Sequence, residues 1–435
     1  MFIWQFWKKD FRVDISMNVR NDFGKKRVAV IGGGSSGLMA AITASVQGAF
    51  VTIYERNERV GKKILVTGNG KCNFTNSDMR KECFYSDNPE MAWGCIQHFG
   101  YEDTLSFFEE LGVLYKERDG YYYPACEQAS VVLDALRFRA DELGVETRCD
   151  AYVTDVTKTE KGFVVCTALD EAHYDCVILC TGGYAAPKTG SDGKGYKLAK
   201  RLGHKVSVTH PALVQLRCEE PFLKQIAGVR AKAKIAFYER HHWLCDEQGE
   251  VQLTDYGISG IPVFQCSRVI SRLLKDGRTC VARLDFMPEY TKEQWMELFE
   301  RRFEQMQERN VKEFSNGLLN KKIMQLFEKL CSLKEEAKVK DNKEKLRNMF
   351  LLCKDFPLTV TAANGYDSAQ VTAGGVLLSE VTEHLESVIC PGLFFAGEIL
   401  DVDGICGGYN LQWAWTSGYL AGMQAAKGEG DSDSN

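Results

Sequence analysis

The sequence has sixteen cysteines in 435 residues and yet no C-x-x-C pair. A redox-active dithiol of that type and a tetracysteine zinc or iron–sulfur site both need such pairs, so neither is indicated. Seven histidines form no ligand-like cluster, and no metal is expected. No apolar run approaches the roughly 20 residues that a membrane-spanning helix requires. The opening Met1 to Asp10 lacks the basic region and small-residue cleavage site of a signal peptide. Scattered thiols fit burial in a reducing compartment, so the expectation is a cytoplasmic protein without a membrane span. Excess positive charge is missing too. With 54 Lys and Arg against 59 Asp and Glu the net charge is -5, which argues against a broad nucleic-acid surface, and no nucleic-acid partner is expected. The 45% hydrophobic content is that of a globular protein, and the length predicts two or three domains.

What is present centres on glycine. Val28 to Ile31 is a short apolar run of buried-strand type, and Gly32-x-Gly34-x-x-Gly37 follows it directly. The first glycine suits a tight turn, the second a close approach to pyrophosphate, and the third close helix packing. Leu38 to Gln47 predicts a helix whose N-terminal amides, with those of Ser35 and Ser36, face phosphates. A second strand, Phe50 to Tyr54, delivers Glu55, 23 residues after Gly32. A carboxylate at about that distance accepts hydrogen bonds from a ribose with a free 2′-hydroxyl. This motif alone leaves NAD and FAD equally open.

Further along, Arg59 to Asn76 is a polar loop dense in Gly, Asn, Thr and Lys; it fits either an exposed turn or a loop that brings amides to an anion or ring. Residues 88–118 predict helices, and Tyr121-Tyr122-Tyr123-Pro124 breaks them. Glu146 to Val165 predicts a hairpin. Asp175 to Gly183 predicts another buried strand, whose Thr181, Gly182 and Gly183 would meet the same dinucleotide. Between about 204 and 285 the pattern is β-like, with runs at Lys205–Val208, Val229–Tyr238, Val251–Leu253 and Thr279–Asp285; 291–354 read as helices. Gly392 to Glu398 is a third strand ending in Gly-Glu, followed by a loop with Gly407-Gly408 and a helix from about Leu411 to Ala426.

Four segments narrow the reading: KKILVTGNGKCNFTN at 62–76, TDYGISG at 254–260, QVTAGGV at 370–376 and AGEILDVDGICGGYNLQWAW at 396–415. Together they resemble the YhiN/BaiN-like family of bacterial FAD-dependent oxidoreductases, over roughly 26–427. Lys62 and Lys71 stand where many relatives carry arginine, Ile261 follows Ser259-Gly260, and 1–24 lie outside the likeness. The resemblance implies an α/β fold with a doubly wound, glutathione-reductase-type FAD domain built from both chain ends. It also implies an inserted β-barrel-like domain that itself carries a helical insert. The boundaries expected are an extension at 1–24, FAD domain at 25–203 and 374–427, barrel at 204–288 and 355–373, helical insert at 289–354 and a disordered tail at 428–435.

By the same resemblance, non-covalent FAD would touch Gly32, Gly34, Ser35, Ser36, Gly37, Glu55, Lys63, Thr67, Gly68, Asn69, Gly70, Cys72, Asn73, Val153, Thr181, Gly182 and Gly183. The clasp would be completed by Gly397, Glu398, Gly407, Gly408, Tyr409, Asn410 and Leu411. Glu398 would sit near the ribityl chain or pyrophosphate, and the amides after Gly407-Gly408 would face the flavin pyrimidine edge. The bile-acid branch of the family implies reduction of a ring double bond conjugated to a 3-oxo group. No second G-x-G-x-x-G exists, so NAD(P)H would dock transiently or another donor would serve. Tyr256 and Ser259 are the candidates for facing substrate, although packing explains each equally well. An amine oxidase and a non-catalytic or RNA-associated flavin binder are the alternatives.

Overall fold

The computed structural model describes residues 25–427, so the extension expected at 1–24 and the tail expected at 428–435 lie outside the described residues. They form two units, one from 25–209 with 371–427 and the other from His210–Gln370.

The first unit is built on a five-stranded parallel sheet. Its strands are β1 (Arg27–Ile31), β2 (Phe50–Tyr54), β3 (Glu146–Arg148), β4 (Cys176–Leu179) and β5 (Leu393–Phe395), in the spatial order β5-β4-β1-β2-β3. Val28, Ala29 and Val30 are consecutive and fully buried, as are Val177, Ile178 and Leu179. A strand covered on both faces needs a continuous apolar run rather than alternation, and these sequences supply it. Helix α1 (Ser35–Val46) follows β1, and helix α2 (Tyr409–Ala426) follows β5. The two pack so closely that a Cβ on Gly418 would lie 2.5 Å from the Ser36 carbonyl oxygen, and one on Gly422 2.5 Å from that of Ala40.

The second unit holds a closed six-stranded barrel made of Leu216–Cys218, Gly257–Ser259, His242–Leu253, Arg230–Glu239, Cys280–Asp285 and Phe356–Ala363. Along Arg230–Glu239, Ala233, Ile235 and Phe237 are buried while Lys232 and Lys234 are exposed, the period-2 pattern of a barrel wall. Helices lie between its last two strands in sequence, where Trp295, Phe299 and Phe314 pack on Phe350, and Phe327 packs on Phe286 and Phe356.

Several elements differ from expectation. The helices of 88–118 end at Glu110, and Tyr115–Arg118 pairs with Tyr121–Pro124, because Asp119 and Gly120 both take positive φ and turn the chain into a hairpin. The tyrosine run is therefore a strand. Glu146–Arg148 joins β2 in parallel instead of forming a hairpin, which spans Val153–Thr167. Lys205–Val208 forms no strand and contributes a single bridge, Val206 to Val376. Within the stretch read as β-like lies a helix, Ile261–Lys275, opened by Pro262 and burying Val263, Cys266, Ile270 and Leu273 on one face.

Candidate cofactor site

The carboxyl ends of β1 and β4 meet the amino end of α1, and the end of β5 meets α2 at Trp413 and Ser417, while the amino end of α2 lies against Asn73 and Thr75. At the first of these junctions the three motif glycines do three different things. Gly32 has φ +106° and a Cβ there would lie 2.5 Å from the Cys180 carbonyl oxygen. On Gly37 a Cβ would overlap the Gly32 carbonyl oxygen, so only hydrogen lets α1 sit against the turn. Gly34, the N-cap of α1, has no atom within 4 Å of a Cβ built on it, and no side chain caps the helix. Turn, packing and open approach are thus divided among the three, and the open one fronts the amides of Ser35 to Gly37.

Glu55 is buried beside this turn. One carboxylate oxygen accepts from the Gly33 amide at 3.0 Å, and the other from the Asn57 amide at 2.8 Å and its side chain at 2.7 Å. Asn57 also donates to the Thr189 carbonyl at 3.1 Å. Three donors orient the carboxylate, and its remaining lone pairs are those a ribose hydroxyl would use. Val153, buried at the start of its strand, follows Ala151, whose amide donates to the Glu55 carbonyl at 2.9 Å.

Across the cradle, Ser36 Oγ donates to the Ala396 carbonyl at 3.2 Å, and Gly397 N donates to Ser417 Oγ at 2.8 Å. Lys63 Nζ pairs with Glu398 Oε2 at 2.6 Å and donates to the Ala185 carbonyl at 3.2 Å. Glu398 Oε1 accepts from the Thr372 amide at 2.9 Å, while Thr372 Oγ1 accepts from the amides of Tyr184 and Ala185 at 2.8 and 3.0 Å. Thr372 thereby joins the ends of β4 and β5, a part that sequence reasoning missed. Gly183 lies against it, since a Cβ there would be 2.5 Å from Thr372 Oγ1, and Gly182 has φ +68°. The buried Thr181 hydroxyl has no partner among the described residues.

The polar loop is strongly turned. Gly68 and Asn69 are both left-handed, at φ 54° and 55°, and Gly70 and Cys72 also have positive φ. Thr67 Oγ1 donates to the Ile64 carbonyl at 2.6 Å, closing the turn that precedes them. Burial pushes the Cys72 thiol up to about 12, so it is a neutral packed group rather than a thiolate nucleophile. Asn73 follows, and the loop then meets the start of α2. There Asn410 accepts from the Gly404 amide and donates to its carbonyl, both at 2.8 Å, and Tyr409 OH donates to the Asp78 carbonyl at 2.9 Å. Gly407 and Gly408 have φ 127° and 96°, and no side chain caps α2, whose first turn contains Leu411.

Tyr256 and Ser259 belong to the other unit. Ser259 is buried and pairs with Gln252, and the Arg217 guanidinium lies 5.0 Å from the centre of the Tyr256 ring. Among the described residues no group of His, Cys, Asp and Glu is placed to hold a metal, and no helix is long and apolar enough to cross a membrane.

A cradle with two glycine-started helices that no side chain caps, an oriented carboxylate and a second clasp from distant sequence fits an extended dinucleotide. Its unpartnered Thr181 hydroxyl and open Gly34 leave polar groups and space for one. The class this defines is the FAD-dependent oxidoreductases with a Rossmann-type fold and a β-barrel subdomain. Residues 26–424 match the family described as HI0933-like protein Rossmann domain, and the chain belongs to that family. It is 42% identical over 405 residues to a 3-dehydro-bile acid delta(4,6)-reductase of Clostridium scindens, covering 92% of this chain and 99% of that protein. A ribosomal RNA dihydrouridine synthase of Haemophilus influenzae is 28% identical, over 92% of this chain and 98% of its own. Among solved structures, the 3-ketosteroid delta1-dehydrogenase of Sterolibacterium denitrificans in complex with 1,4-androstadiene-3,17-dione shares the fold. Its TM-score is 0.50 at 11% identity, covering 92% of this chain and 99% of that one.

Proposed function

We propose that this protein reduces a carbon–carbon double bond conjugated to a ketone, in a 3-oxo-4,6-diene bile acid or related steroid. FAD is the resident cofactor and NAD(P)H the electron donor. The observation that carries the reading is the 42% identity, across nearly the full length of both chains, to a reductase of that bond system. When bound, FAD would supply hydride-transfer chemistry between a nicotinamide donor and a conjugated carbon acceptor. Within this reading Glu55 holds the adenosine ribose, the amides of Ser35 to Gly37 hold pyrophosphate, and Lys63 with Glu398 orients the middle of the cofactor. Val153, Thr67 to Asn73, Thr181 to Gly183 and Gly397 would add further contacts to the dinucleotide, and the residues from Gly407 to Leu411 would face the pyrimidine edge of the ring. The start of α2 favours negative charge on that ring through its dipole. Tyr256 and Ser259 stay the candidates for facing substrate, with the tyrosine hydroxyl as proton source.

The test is anaerobic NAD(P)H consumption by purified protein with a 3-oxo-4,6-diene bile acid. Loss of the dienone absorbance with matching nicotinamide oxidation supports the reading; a flavin that stays oxidised and a dienone that persists overturn it. Hydrogen peroxide formed from an amine in air would point to an oxidase instead.

A second reading comes from the ribosomal RNA dihydrouridine synthase. Saturating the 5,6 bond of uridine also reduces a double bond conjugated to a carbonyl, so one flavin chemistry serves both substrates. The net charge of -5 favours the small apolar substrate over RNA. Dihydrouridine appearing in ribosomal RNA incubated with the enzyme and NAD(P)H, with the dienone untouched, would reverse that preference.

A further inference from the structure

The segment after Cys72 is fastened to α2 one residue after another. Trp415 Nε1 donates to the Phe74 carbonyl at 2.9 Å, Thr75 Oγ1 donates to Gln412 Oε1 at 2.6 Å, and Asn76 Nδ2 donates to the Gly407 carbonyl at 3.0 Å. These bonds fix the segment against the first two turns of an 18-residue helix. Asn73, immediately before them, is only 9% exposed, and its Oδ1 has no hydrogen-bond partner among the described residues. A buried acceptor left unmade costs far more than a hydrogen bond gains, so a rigid scaffold that leaves one empty marks a place for a donor from elsewhere. Its position says which donor. A Cβ built on Gly408, the N-cap of α2, would lie 3.0 Å from Asn73 Oδ1, so the acceptor sits beside a helix start that no side chain caps.

An acceptor next to a row of amide donors is complementary to a group presenting an N–H flanked by a carbonyl, which is the pattern of an imide edge. We propose that Asn73 Oδ1 accepts from the N3–H of the flavin pyrimidine ring while the first amides of α2 donate to the neighbouring carbonyl oxygen. The proposal rests on the FAD reading above and assigns the residue that registers the ring edge. Glycine is required at 408 for the same reason, since φ is +96° and a Cβ would press on both the Thr75 carbonyl, at 2.8 Å, and this acceptor.

The test uses apoprotein titrated with FAD and with 3-methyl-FAD, followed by quenching of flavin fluorescence. Wild type binds FAD at least about tenfold more tightly than the methylated cofactor, the loss expected when a buried acceptor is left unmade. Asn73→Ala discriminates by less than about twofold. Asn73→Asp, which keeps an acceptor, restores the discrimination and lowers the reduction potential of the bound flavin, because a carboxylate opposes negative charge on the ring. Equal binding of both cofactors by wild type, or discrimination that survives in Asn73→Ala, overturns the assignment while leaving the FAD reading intact. Should Asn73→Ala not fold, the comparison of wild type with Asn73→Asp decides. Failure of wild type to bind either flavin overturns both.

Discussion

Gly34 and Gly37 belong to one motif and stand three residues apart, yet substitution separates them. At Gly34 there is open space and an extended backbone that alanine adopts, so Gly34→Ala changes stability by no more than about 1 kcal/mol, the lost cap preference and the gained backbone rigidity offsetting each other. Its effect falls on the cofactor, whose affinity drops. Gly37→Ala forces a methyl group into the Gly32 carbonyl and costs about 3 kcal/mol, seen as a lower melting temperature with or without added FAD. A second residue-scale prediction concerns His204, buried between Glu380, 3.2 Å from Nδ1, and Ser387, 2.7 Å from Nε2. Burial lowers its pKa, against the opposing pull of Glu380. The unfolded chain then binds the proton more readily, so this residue's contribution is complete above about pH 6.5 and is lost as pH falls toward the depressed folded value. Melting curves between pH 7 and 5 should show a decline that flattens in His204→Gln.

At the scale of elements, α1 and α2 carry the cradle together because Gly418 and Gly422 let their backbones touch. Gly418→Ala or Gly422→Ala should each cost about 2 kcal/mol by denaturant unfolding and also weaken FAD binding, since a shift between the helices moves both amide rows at once. This scale also separates what sequence makes legible from what it hides. The β1-α1-β2 unit was readable because its strand, turn, helix and acid are consecutive and each glycine answers a local backbone demand. Thr372 was not, because the amides it accepts belong to Tyr184 and Ala185, 188 and 187 residues away, and nothing near Thr372 announces them. The helix Ile261–Lys275 was hidden in a stretch judged by its strands, although Pro262 at its start and Arg272 and Lys275 in its last turn are ordinary helix signals. Tyr121 to Pro124 misled in the opposite sense, since a proline that looks like a breaker sits comfortably at a strand end.

Across the whole molecule, the second unit is entered and left at neighbouring points. The Gln370 amide donates to the Leu213 carbonyl at 3.3 Å, so the barrel with its helices hangs on two adjacent strands of chain. Residues 210–370 produced alone should therefore melt cooperatively and bind no flavin. Joining 25–209 to 371–427 through a short flexible linker should retain FAD, with the characteristic visible bands, and lose turnover. Scanning calorimetry and an absorption spectrum of the two pieces decide both points; a linked first unit that binds no flavin would contradict the assignment of the cradle to that unit alone.

The parallel sheet sets a timetable for synthesis as well as a shape. β1 and β4 leave the ribosome early, but β5 and the start of α2 follow only after the barrel and its helices have been made. Until then β4 lacks a neighbour on one side, and the clasp from Gly397 to Leu411 does not exist. Flavin is thus captured by finished chains and not by growing ones. A ligand that binds only the folded state stabilises it by mass action, so the supply of free FAD governs how many completed molecules survive, not how fast they are made. In riboflavin-starved cells the protein should be synthesised normally and then disappear.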